Sequence, residues 1–188
     1  MTVERISRTG KTYYLHVKMT AAGKPNYFFS MDAGGPLAES VPEGYEVYEN
    51  MGGQVFLRKK TAQPILPAEL ARVEAALLKH GESWKYRAEV KKNAIVIHEA
   101  GNMAGLDEMV IEFRRRPLSA SEKAKHASYM AVLRFVLADK KTRAFVTERF
   151  CFCGSVDDWI YIGGPGTLSS QLSQFVKHLG RESIYELF

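Results

Sequence analysis

Two clusters of basic residues in the 188-residue chain have a composition suited to binding phosphate groups. Arginine presents a planar fork that matches a phosphate, and successive arginines repel one another unless an anion lies nearby. Lysine and arginine side chains also supply most of the affinity of a protein for a nucleic-acid backbone. We therefore expect a non-enzymatic module that binds an anionic partner, with nucleic acid as the leading candidate. The expected contact residues are Arg114, Arg115, Arg116, Lys140, Lys141 and Arg143.

Aromatic residues near the N-terminus could add a stacking surface for bases, since an aromatic face tolerates any base. The alternative interpretation is ordinary: the aromatic rings fill the core of a small sheet, and the basic clusters lie at strand ends in water. In that case the arginine run is neutralised by Glu112 or Glu122. The aromatic residues concerned are Tyr13, Tyr14, Tyr27, Phe28 and Phe29.

An acidic and a basic residue on one predicted strand indicate a second hypothesis, a metal-dependent nuclease. Glu89 and Lys91 form a Glu-x-Lys pair, the end of a pattern in which acids hold a metal ion and the lysine stabilises developing charge. The pattern also requires an acid upstream, for which only Glu74 and Glu82 are available. Alternation of charged residues on the wet face of a strand produces the same pair without any catalytic role.

The segment GGPGT between a predicted strand and a predicted helix is a candidate anion site. Its backbone N–H groups and the positive end of the helix dipole would attract an anion to Gly164, Gly166 and Thr167. The alternative is a tight turn in which Thr167 caps the helix. The segment lacks the P-loop and G-x-G-x-x-G patterns, and the sequence predicts no cofactor.

The two cysteines of the chain, Cys151 and Cys153, lie two residues apart on a predicted strand and so point to the same face. A redox pair or half of a metal site is one interpretation. Zinc needs about four ligands, and the five histidines are scattered, so we predict no metal site. Reduced thiols that pack in the core are the simpler alternative.

These residues lie on elements that predict an α+β fold, with mostly antiparallel sheets built from hairpins and meanders. Alternating apolar residues mark strands in the first sixty residues and again over 83–91, 94–99, 129–138 and 143–153. Apolar residues at helical spacing predict two clear helices, at about 67–80 and 168–179.

A change in pattern near residue 62 divides the chain. Residues 1–62 have only strand signals, and residues 63–188 mix strands with helices. The proline-containing segment TAQPILP lies between them. We expect a β-rich N-terminal lobe over 1–62 and an α+β lobe over 63–188, with one continuous domain as the alternative.

Composition restricts the class of protein. The 26 Lys and Arg against 21 Asp and Glu leave a net charge of +5, spread along the chain, which favours anionic partners without identifying one. No apolar stretch approaches the roughly 20 residues that span a bilayer. We expect a cytoplasmic protein without membrane association.

A third hypothesis is a protein-interaction or regulatory subunit that uses exposed aromatic residues of the first lobe. The sequence leaves the oligomeric state open.

Overall fold

The computed structural model of the chain describes residues 2–103, 110–112, 116–153 and 156–187, apart from the side chains of residues 152–153 and 156–157. These ranges contain ten antiparallel strands and three α-helices of seven or more residues, which confirms the predicted α+β class. Within them, no helix combines the length and the apolar character that crossing a membrane requires. The chain divides into two compact units, Met1–Ala62 and Gln63–Phe188, which are described separately.

The N-terminal unit, Met1–Ala62, is built from two small antiparallel sheets. The first has the order β1-β2-β3, and the second is the hairpin β4-β5. The Arg8 backbone N–H, in the turn after β1, donates to Oε1 of Glu49 at 2.9 Å and so joins the two sheets. The strands are β1 (Glu4–Ile6), β2 (Thr12–Met19), β3 (Pro25–Ser30), β4 (Tyr45–Glu49) and β5 (Val55–Lys59).

The C-terminal unit, Gln63–Phe188, is built on a five-stranded antiparallel meander in which each strand pairs with the next along the chain. The predicted strand over 83–91 begins only at Tyr86, because residues Ser83–Lys85 form a turn of 3₁₀-helix. The strands are β6 (Tyr86–Lys91), β7 (Ala94–Ala100), β8 (Tyr129–Asp139), β9 (Ala144–Cys153) and β10 (Val156–Thr167).

Three α-helices belong to this unit: α1 (Pro67–Leu78), α2 (Ala120–His126) and α3 (Leu168–Phe175). The helices predicted at 67–80 and 168–179 are α1 and α3. Both are shorter than predicted, because hydrogen bonds of the 3₁₀ type, between residues three apart, replace the α-helical ones at their C-terminal ends. The His80 N–H donates to the Leu77 carbonyl, and the chain after α3 continues as 3₁₀-helix.

The hydrophobic core of the C-terminal unit lies between one face of the sheet and the helices α1 and α3. Val73 and Leu77 of α1 and Phe175 of α3 pack there and are at most 4% exposed. The strands contribute alternate residues, among them Ile95, Ile97, Leu133, Phe135 and Phe145. Because side chains alternate along a strand, the residues between these point to the other face of the sheet.

Candidate nucleic-acid interface

The sheet face opposite α1 and α3 carries a cluster of aromatic and charged side chains, which we call the Trp159 face. It consists of residues that alternate with the core residues of β8, β9 and β10. The register places Arg134 opposite Glu148, and Phe150 opposite Trp159. These four side chains are half-buried, and Tyr161 beside them is 53% exposed. The cluster consists of Arg134, Glu148, Phe150, Trp159 and Tyr161.

Arg134 and Trp159 make the central contact of this face. The guanidinium carbon of Arg134 lies 4.3 Å from the centroid of the Trp159 ring, within the range of a cation–π interaction. Phe150 meets the same ring edge-on, with 5.2 Å between the centroids. The carboxylate of Glu148 accepts a hydrogen bond from Nε of Arg134. Glu148 therefore orients the guanidinium group against the indole ring.

Arg87 places a second guanidinium group on this side of the sheet, on β6. Its central carbon lies 5.5 Å from the centroid of the Tyr129 ring. The Tyr129 hydroxyl donates to the Trp84 carbonyl at 3.0 Å, which holds the ring in place. This side of the sheet thus carries two arginine–aromatic pairs, Arg134 with Trp159 and Arg87 with Tyr129, and in each pair the two residues are far apart in the sequence.

Glu89 and Lys91 lie together, as the nuclease hypothesis requires. Glu89 is buried, however, whereas the sequence predicts it on a solvent-exposed face of the strand. Glu89 is only 8% exposed, and its Oε1 lies 2.6 Å from Nζ of Lys91 and 3.3 Å from Nε2 of His98. His98 is 4% exposed. Its pKa is lowered by burial, and the negative charge of Glu89 opposes that shift. In the part of the chain that the structure describes, no three His, Cys, Asp or Glu side chains form a group able to hold a metal ion.

The basic residues predicted to bind phosphate have different surroundings. Arg116 donates two hydrogen bonds to Glu122, at 3.0 and 2.9 Å, which lower the pKa of this carboxyl well below its ordinary value. Arg143 is paired with Glu69 of α1. Lys140 and Lys141 are exposed in the turn between β8 and β9. The remaining two, Arg114 and Arg115, lie outside the described residues.

The segment predicted as an anion site has the geometry of a helix cap. The Thr167 hydroxyl accepts the backbone N–H of Ser170 at 3.2 Å, and the side-chain amide of Gln171 donates to the Gly164 carbonyl at 2.8 Å. An alanine-like Cβ at Gly166 would lie 2.9 Å from that amide nitrogen. Anion binding at Gly164, Gly166 and Thr167 stays a prediction, and the Thr167 hydroxyl and the Gly164 carbonyl already have these partners.

The aromatic residues of the N-terminal unit do not share one surface. Tyr13 is 8% exposed, whereas Phe28 on the neighbouring strand is 41% exposed and stacks on His16 with 5.2 Å between the ring centroids.

Of the two cysteines, the side chain of Cys151 is half-buried, and that of Cys153 lies outside the described residues.

Sequence reasoning missed the Trp159 face, although one signal was present. Arg134 interrupts an otherwise apolar run, YMAVLRFVLA, at a position that alternates with Leu133 and Phe135. A charged residue at such a position indicates that one face of the strand is not core. Its aromatic partner Trp159 lies 25 residues further on, and only the pairing of β8, β9 and β10 brings the two together.

Comparison of the chain with protein-family models, with curated proteins and with solved structures finds no match.

Proposed function

We propose that the C-terminal unit binds single-stranded nucleic acid across the Trp159 face. The observation that carries this proposal is the contact of Arg134 with Trp159 at 4.3 Å on a sheet face that also presents the exposed ring of Tyr161. Bases of a single strand stack on aromatic rings and on guanidinium planes, and an unpaired strand can follow a sheet surface.

The charged groups near this face support a polyanionic ligand. Lys140 and Lys141 lie in the turn that joins β8 to β9, the two strands that carry Arg134 and Phe150. Their exposed ammonium groups are available to the phosphates of a nucleic-acid strand that lies along β8 and β9. Arg116 and Arg143 contribute less to this proposal than the sequence suggested, since each already has a carboxylate partner. Arg134 is also paired with a carboxylate, that of Glu148, but its guanidinium group lies against the Trp159 ring and so belongs to the stacking surface itself.

Tryptophan fluorescence tests the proposal directly, because the chain has only two tryptophans. In the Trp84→Phe variant, Trp159 is the only fluorophore of this type. Titration with an unstructured oligothymidylate of about 10 nucleotides should quench its emission, since stacking of a base changes the surroundings of the indole ring. Binding should weaken as the salt concentration rises. The slope of log K against the logarithm of the salt concentration should be about −0.7 per phosphate contact.

A matched pair of variants tests the role of the guanidinium group. Arg134→Gln should weaken binding by about fivefold or more, on the scale of one lost stacking contact. Arg72→Gln is the control, because it removes the same charge from an exposed position on α1, on the other side of the sheet. Equal losses in the two variants, or unchanged Trp159 emission at low salt, would overturn the proposal. Equally tight binding of duplex DNA would exclude stacking as its basis.

A further inference from the structure

Glu148 places a carboxylate in the middle of the Trp159 face. The strand register sets it directly opposite Arg134 of β8 on one side and Tyr161 of β10 on the other. Side chains of directly opposite residues in antiparallel strands point to the same face, with about 4.5–5.5 Å between their Cβ atoms. The three side chains therefore form one row across β8, β9 and β10.

The two oxygens of the Glu148 carboxylate have different surroundings. Oε2 accepts the hydrogen bond from Nε of Arg134. Within the residues that the structure describes, Oε1 accepts no hydrogen bond, and the Glu148 side chain is 21% exposed, so a ligand can reach it. An ionised carboxylate only accepts hydrogen bonds, and its two oxygens together offer about four lone-pair positions. Glu148 thus has acceptor capacity left for a bound ligand.

Tyr161 supplies a flat surface beside this carboxylate. It is 53% exposed and lies on β10, a strand at the edge of the five-stranded sheet. Stacking on an aromatic ring holds the plane of a base but leaves the edge of the base free for hydrogen bonds. Because Glu148 is the neighbour of Tyr161 in the row, a base stacked on Tyr161 can turn its edge to the carboxylate.

The bases of nucleic acids differ in the donors that they present to an acceptor. The Watson–Crick edge of guanine carries two adjacent donors, N1–H and the N2 amino group. The same edges of adenine, cytosine and thymine each carry one donor group beside at least one acceptor, which a carboxylate repels. Single strands expose these edges, because their bases are unpaired. A carboxylate beside a stacking surface therefore favours guanine.

From this row of side chains we infer that the Trp159 face selects guanine among the bases of a single strand. The guanine ring stacks on Tyr161, and its N1–H and N2 amino group donate to the Glu148 carboxylate. Arg134 holds that carboxylate in place and offsets its charge towards the phosphates of the ligand. This inference rests on the proposed function and adds a base preference, which stacking alone does not give.

Three labelled DNA strands of about 10 nucleotides test the inference on the full chain. One is oligothymidylate, one has a single central guanine, and one has hypoxanthine at that place, which keeps N1–H and lacks the N2 amino group. Fluorescence anisotropy measures each dissociation constant. We expect the guanine strand to bind at least about fivefold tighter than oligothymidylate, the scale of a base contact made by two hydrogen bonds. The hypoxanthine strand should bind more weakly than the guanine strand.

Glu148→Gln then assigns the preference to the carboxylate. Glutamine has nearly the same shape, but its amide nitrogen is a donor that opposes the donors of guanine. The preference for the guanine strand over oligothymidylate should therefore fall below about twofold. Glu74→Gln, which removes a carboxylate from an exposed position on α1, is the matched control and should keep the preference of the parent protein.

The outcomes separate this inference from the function on which it rests. Equal binding of the three strands, or a guanine preference that Glu148→Gln retains, overturns the selection of guanine and leaves the binding of single strands in place. Absence of binding of every strand at low salt overturns both. If Glu148→Gln fails to fold, the comparison of guanine with hypoxanthine in the parent protein still decides, and equal binding of these two strands overturns the inference.

Discussion

The guanidinium group of Arg143, in the turn between β8 and β9, is bound to the carboxylate of Glu69 in the first turn of α1. Nε of Arg143 donates to Oε1 of Glu69 at 2.9 Å, and Nη1 donates to the Pro64 carbonyl at 3.1 Å. Oε2 of Glu69 in turn accepts the backbone N–H of Leu66 at 2.8 Å, which caps the helix. One arginine thus joins a turn of the sheet to the start of α1.

Glu69→Gln should destabilise the protein, since Arg143 would then lose the charge of its partner in a mostly buried pair. We expect the free energy of unfolding to fall by about 1–3 kcal/mol, below the range for fully buried pairs because Arg143 is partly exposed. Urea unfolding of the purified variant measures the change. Glu74→Gln on the exposed side of α1 is the control and should stay within about 0.5 kcal/mol of the parent. Similar values for both variants would contradict a stabilising role for the pair.

Gly163→Ala should destabilise the protein through a steric clash with α3. A Cβ at this position would lie 2.5 Å from Cζ of Phe175, a residue that is only 1% exposed and has little space to move. We expect a loss of about 1–3 kcal/mol, as for other overpacked cores. At Gly164 the nearest atom to an added Cβ is the Tyr161 hydroxyl oxygen, at 3.5 Å.

Gly164→Ala is therefore the matched control, and its thermal midpoint should remain near that of the parent protein. Thermal unfolding followed by circular dichroism compares the two variants under the same conditions. An unchanged midpoint for Gly163→Ala would show that α3 shifts away from the sheet without cost, against the close packing described above.

His98 should make the stability of the protein depend on pH in the weakly acidic range. Burial lowers the pKa of His98, the nearby Lys91 ammonium lowers it further, and Glu89 opposes both. Below a pH of about 6.5, the ordinary pKa of histidine, the unfolded chain then binds a proton more readily than the folded protein does. The contribution of neutral His98 to the free energy of unfolding is therefore complete above this pH. It decreases as the pH falls, by up to about 1.4 kcal/mol per pH unit.

Urea unfolding at several pH values between about 7.5 and 5.5 measures this dependence, a range that spans the ordinary histidine pKa. His98→Gln should make the dependence shallower, whereas His126→Gln, at an exposed position on α2, should leave it as it is in the parent. The same slope in all three proteins would assign the pH dependence to other groups.

Local patterns were sufficient to predict much of the secondary structure. Pro67 followed by Leu70, Val73 and Leu77 predicted α1, and Thr167 was correctly placed as the cap of the last helix. Helix and strand signals of this kind extend over a few residues and depend on backbone sterics and side-chain spacing. The same alternation misplaced the start of β6, because a 3₁₀ turn can also carry an aromatic residue such as Trp84 between polar neighbours.

By itself the sequence determined the α+β class, the order of most elements and which residues of each strand share a face, since these follow from the two-residue period of a strand. Only the tertiary structure decided which face α1 and α3 cover, that Glu89 is buried beside His98, and that Arg143 pairs with Glu69. The register of β8, β9 and β10 also had to be known before Arg134 could be placed on Trp159. These contacts join residues up to 74 positions apart, and their formation depends on packing and charge pairing between whole elements, which no local pattern encodes.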